Sequence, residues 1–150
     1  MQLPYSEELN IEYLGRLFAN TSECYKFFWF KAIVEKVAKG KAELTYEELV
    51  DDMIANAWYM VTEYHLNLGP KDTLESLVAL IKQKNPELKS SEKKDVILKF
   101  LKNTDDKEII SKKRILTYNV PYRLQSPFMK NMKGKEWNAG ENELIAKINQ

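Results

Sequence analysis

Five aromatic side chains fall within six positions of this chain, in the stretch CYKFFWFKAIVEKV. At the helical repeat, Tyr25, Phe27, Phe28, Trp29 and Phe30 spread around the whole circumference, interrupted only by Lys26 and Lys31. A helix that is apolar on every side belongs in an interior, because water would otherwise meet it at every azimuth. The aromatic run therefore predicts the central helix of a bundle. A face covered by another domain or chain is the alternative. Base stacking would need an exposed ring beside a basic groove, and the neighbouring segments are acidic.

The rest of the chain supports an all-α reading. Leu9, Tyr13, Leu14, Leu17 and Phe18 recur at three-and-four spacing over residues 7 to 19, behind Ser6 as a cap. Thr21 or Ser22 caps the aromatic helix, which Gly40 ends. Thr45 with Glu48 makes a capping box for a long helix from Tyr46 to about His65, with Leu49, Val50, Met53, Ile54, Ala57, Trp58, Val61 and Tyr64 on one broad stripe. Asp72 and Glu75 repeat the box before LESLVALIKQK, which Asn85 and Pro86 close. Ser90 or Ser91 opens a helix through Ile97, Leu98 and Leu101, and Asp105 or Asp106 opens one over about 107 to 116. Two prolines and two glycines then predict a long irregular basic segment at about 111–140, before ENELIAKINQ resumes as helix. The expected fold is an irregular bundle of six or seven helices around a central aromatic helix, a single domain over 1–150. The closing helix has no stop signal, which predicts a natural protein that continues past Gln150 as the N-terminal part of a longer chain.

Length and composition bound the function. A chain of 150 residues buries roughly 70% of its unfolded surface, enough for a core without disulfide or metal. One cysteine excludes an internal disulfide, and the absence of a basic and apolar leader or of a long apolar run points to the cytoplasm with no membrane partner. His65 stands alone, where metal sites and nucleophile–base pairs need a second matched group, so it reads as a helix-terminal residue. Asp51 and Asp52 with Glu47 and Glu48 read as a solvated acidic turn near a helix N-terminus. No catalytic residue, metal ligand or cofactor is expected in this chain.

Charge is the one uneven property. Residues 1 to 110 carry 15 Lys+Arg against 19 Asp+Glu, whereas residues 111 to 135 carry seven basic residues and no acidic one. Lys112, Lys113, Arg114, Arg123, Lys130, Lys133 and Lys135, interleaved with Tyr118, Tyr122 and Phe128, are the candidate nucleic-acid-binding residues. A basic segment packed against the acidic remainder of the same chain has the same composition.

SECYKFFWFKAI, NAWYMVTEYHLNLGPKDTLE, KKRILTYNVPYRLQSPFM and the following KGKEW, in that order, resemble the N-terminal region of bacterial HNH endonuclease domain proteins. The resemblance implies a non-catalytic helical domain whose parent cleaves DNA through a later HNH region holding one divalent metal. It implies DNA and that C-terminal nuclease region as partners. No catalytic residue carries over, because the HNH motif itself is absent from this chain. The second expectation is a protein-interaction module, self-associating through apolar surface around Phe27, Phe28 and Phe30.

Overall fold

The computed structural model describes residues 24–41, 43–70 and 72–125. Among them every regular element is helical: α1 (Tyr25–Ala38), α2 (Tyr46–Thr62), α3 (Thr73–Lys84), α4 (Lys94–Asn103) and α5 (Lys107–Gln125). The expected helices at 7–19 and 141–150, and the caps at Thr21 and Ser22, lie outside these residues.

Local signals set most of the boundaries. Thr45 Oγ1 accepts from the Glu48 backbone N–H at 3.2 Å, and Glu48 Oε2 accepts from the Thr45 N–H at 3.1 Å, closing the expected box at the start of α2. Gly40, at φ 76°, ends α1 in a Schellman turn, with its own N–H on Val37 O at 2.8 Å and the Lys41 N–H on Lys36 O at 3.1 Å. Asp72 opens α3 by accepting from Leu74 and Glu75 N–H through Oδ1. Its expected box does not close, because Glu75 Oε2 takes the Leu68 N–H instead, at 2.6 Å.

A non-local contact supplies what the sequence around α1 lacks. The N-cap of α1 is Cys24, which makes no side-chain cap. Asp72 Oδ2 accepts from the Tyr25 N–H at 3.3 Å, and Leu68 O accepts from the Cys24 N–H at 2.8 Å. One buried carboxylate thus serves the first turns of two helices.

The hub differs from the expectation. Among the described helices α2 packs extensively on all four others, whereas α1 does so only on α2 and α5, and α2 alone buries nine residues, from Leu49 to Val61. Trp58 is 1% exposed, and its indole N–H donates to Lys89 O at 2.9 Å, pinning the α3–α4 connection to the core. Helix α1 packs on α2 and α5 through one line, Tyr25, Phe28 and Ala32. Trp29 and Phe30 are half-buried, and Phe27 is 46% exposed. The physical reason lies in the second half of α1, where Glu35 and Lys36 turn toward charged partners on α2 and α4 and limit how deeply the helix can sink.

Candidate nucleic-acid interface

Helix α5 carries the basic stretch, and it corrects the expectation of an irregular segment from 111. The helix runs unbroken from Lys107 through Pro121 to Gln125. Proline removes one N–H and crowds the preceding turn, but here those costs do not stop the helix. Regular geometry then disperses the charges. Three consecutive helical residues point about 100° apart, so Lys112, Lys113 and Arg114 cannot share one face.

Lys113 points inward. Its side chain is 8% exposed, with Nζ 2.6 Å from Asp51 Oδ1, 3.3 Å from Leu101 O and 3.8 Å from Glu47 Oε1. The approach to Asp51 Oδ1 is close but lies outside hydrogen-bond angles, so the contact is chiefly an ion pair. Burial pushes the Asp51 carboxyl up from its ordinary value, with Lys113 opposing that shift. Lys113 therefore has its charge compensated inside the chain. Lys112 is half-buried and Arg114 exposed; Arg123 lies on the same helix, and Lys130, Lys133 and Lys135 lie outside the described residues.

Asp51 and Asp52 are a second correction, since both are buried where a solvated acidic turn was expected. Asp52 meets Lys36 Nζ at 2.6 Å and Lys94 Nζ at 2.7 Å; Lys94 also binds Glu35 and donates to Asn56 Oδ1 at 3.0 Å. Adjacent helical positions send the two carboxylates to different neighbours, one to α5 and one to α1 and α4. Sequence position alone could not show this, because each lysine partner comes from another helix.

Beside the buried Lys113 a cleft of about 420 Å³ opens between the end of α4, the first half of α5 and Glu47 of α2. Leu101, Ile110 and Tyr118 form its apolar walls, and Lys102 and Arg114 supply positive charge. Neither cation has a carboxylate within ion-pair distance among the described residues. The Arg114 guanidinium sits 5.7 Å from the Tyr118 ring centroid, with Nη2 donating to Tyr118 Oη at 3.4 Å. Lys102 and Glu47 were missed as site residues, because nothing in their local sequence ties them to the basic stretch.

The other reactive side chains do not assemble. His65 is exposed, with a left-handed φ of 49°, past the end of α2. Burial, followed by the nearby Asp72 charge, pushes the Cys24 thiol up, which disfavours the nucleophilic thiolate. Among the described residues no three His, Cys, Asp or Glu side chains converge as a metal set, and no helix is long and apolar enough to cross a membrane.

Fold and site together define a class: an all-α domain with a cation-rimmed, apolar-walled cleft. No family model, curated protein or solved structure matches the chain.

Proposed function

We propose that this chain is a non-catalytic helical domain of an HNH-type endonuclease, which engages DNA and helps to position a nuclease region. The family resemblance of its sequence motifs supports the nuclease context. The observation that carries the DNA role is the uncompensated charge of Lys102, Lys112 and Arg114, three cations with no carboxylate partner among the described residues. Lys31, Lys36, Lys41, Lys84, Lys94 and Lys113 are by contrast paired with carboxylates of the chain, and among the unpaired cations Lys102 and Arg114 share one cleft. Phosphate contacts by unpaired cations release counterions and need no sequence readout.

The test is a fluorescence-anisotropy titration with labelled DNA across several salt concentrations. Three phosphate contacts give a log–log slope of about −2.7 from these residues, at roughly −0.9 per phosphate on duplex DNA. Replacing Lys102, Lys112 and Arg114 by glutamine, with Lys113 kept as a structural residue, weakens binding and makes the slope shallower. Absence of binding at low salt, or binding unchanged by the triple substitution, removes the DNA role.

A self-associating interaction module is the second reading. Val34 and Val37, one turn apart on α1, are 49% and 60% exposed and favour it. Sedimentation of the wild-type chain against Val34→Lys separates the two readings, because only self-association responds.

A further inference from the structure

The cleft has a composition that a duplex backbone would not use. Phosphates on double-stranded DNA ride on a convex surface, where exposed cations reach them without a recess. Here the cations stand at an apolar hollow of about 420 Å³, within the range of pockets that enclose a small organic group. The hollow has a half-exposed aromatic ring in its wall, Tyr118 at 40% exposure. We infer that this cleft receives a single unstacked nucleotide, so that the domain prefers single-stranded to duplex DNA; the inference rests on the DNA-binding reading above.

Each part of such a nucleotide finds a matching group. Arg114 and Lys102 supply uncompensated positive charge for the phosphate. Lys113 does not compete for it, because Asp51 already holds its ammonium at 2.6 Å. The Tyr118 ring, 40% exposed and 5.7 Å from the Arg114 guanidinium, offers its uncovered surface to a base, and Leu101 and Ile110 complete an apolar wall.

Polar base edges are also served. Thr104 Oγ1 accepts from the Asp106 N–H at 3.4 Å, which leaves its hydroxyl proton to donate. Thr117 Oγ1 donates to Lys113 O at 3.0 Å, which leaves its lone pairs to accept. The Glu47 carboxylate, 76% exposed at the same cleft, repels phosphate and accepts from an exocyclic amine. Phosphate and base therefore have distinct places in the hollow. A paired, stacked base cannot enter it without first leaving its duplex.

Anisotropy titrations with a labelled oligonucleotide, alone and annealed to its complement, test this at one low salt concentration. The expected result is roughly tenfold tighter binding of the single strand, the scale of one base–aromatic stack. Tyr118→Ala removes that preference, whereas Tyr118→Phe, which keeps the ring, retains it. Urea unfolding of both variants checks that the helix is intact. Equal affinity for the two forms, or a preference that survives Tyr118→Ala, overturns the nucleotide pocket and leaves the DNA reading standing. Failure of both forms to bind overturns the DNA reading and the pocket together.

Discussion

Removing Asp51 should be among the most damaging single changes on α2, although the residue carries a charge on a helix of a small domain. Its partner Lys113 is 8% exposed and lies 2.6 Å away. At an effective dielectric constant of about 20, two unit charges at that distance attract by about 6 kcal/mol before desolvation is counted. Asp51→Ala leaves the ammonium with the neutral Leu101 carbonyl at 3.3 Å and Glu47 at 3.8 Å, whose side chain is 76% exposed and screened by water. Stranding a buried charge in this way costs about 3–5 kcal/mol, a large share of a total stability of about 5–15 kcal/mol. Asp52→Ala costs less, because Lys36 and Lys94 keep 22% and 29% side-chain exposure and can turn to solvent.

The assay is urea unfolding of Asp51→Leu, Lys113→Met and the double variant as a thermodynamic cycle. The double variant recovers most of the loss, since an apolar pair of similar volume replaces both charges. The Lys113→Met penalty also depends on pH. Burial has already raised the Asp51 carboxyl, so the folded variant binds a proton that the unfolded chain releases near the ordinary aspartate value. Its penalty is therefore smallest in acid and grows as pH rises through the folded value. A loss below about 1 kcal/mol for Asp51→Leu, or strict additivity in the cycle, would refute the buried pair as an energetic unit.

Two further outcomes follow from α2. The Lys41 ammonium and the Thr45 N–H hold Glu48 down at about 2, so its stabilising effect is complete above the ordinary glutamate value of 4.5 and is lost as pH falls from there toward about 2; Glu48→Gln flattens that acid limb in urea unfolding. Trp58→Ala costs about 3–5 kcal/mol by the same measurement, and Trp29→Ala clearly less, because the first ring is 1% exposed and the second only half-buried.

How far the sequence reached depended on how local each cause was. The Thr45–Glu48 box and the Gly40 turn involve residues within a few positions, and the pattern alone located both. The apolar stripe of α2 was equally legible, although its rank as hub was not. The aromatic run suggested a centre because periodicity counts apolar side chains and ignores what flanks them. The burial of Asp51 and Asp52 was invisible for a different reason: an acidic pair near a helix start is ordinarily solvated, and only lysines from three other helices reverse that balance. At the candidate site, the helical course of α5 divided a basic triplet that composition had treated as one patch. The cleft depended on Lys102 and Glu47, which approach from other helices.

The carboxylate shared by two helix starts also bears on the order of assembly. Tyr25 and Asp72 are 47 positions apart, so the first turn of α1 gains its acceptor only after the chain from 66 to 72 has closed against it. Closing a loop of that length costs entropy that a nearby cap would not require. The start of α1 consequently belongs to the same cooperative unit as the α2–α3 turn. In native-state hydrogen exchange, the Tyr25 and Leu74 amides open together, while the Glu48 amide, capped from three residues away, keeps its own schedule.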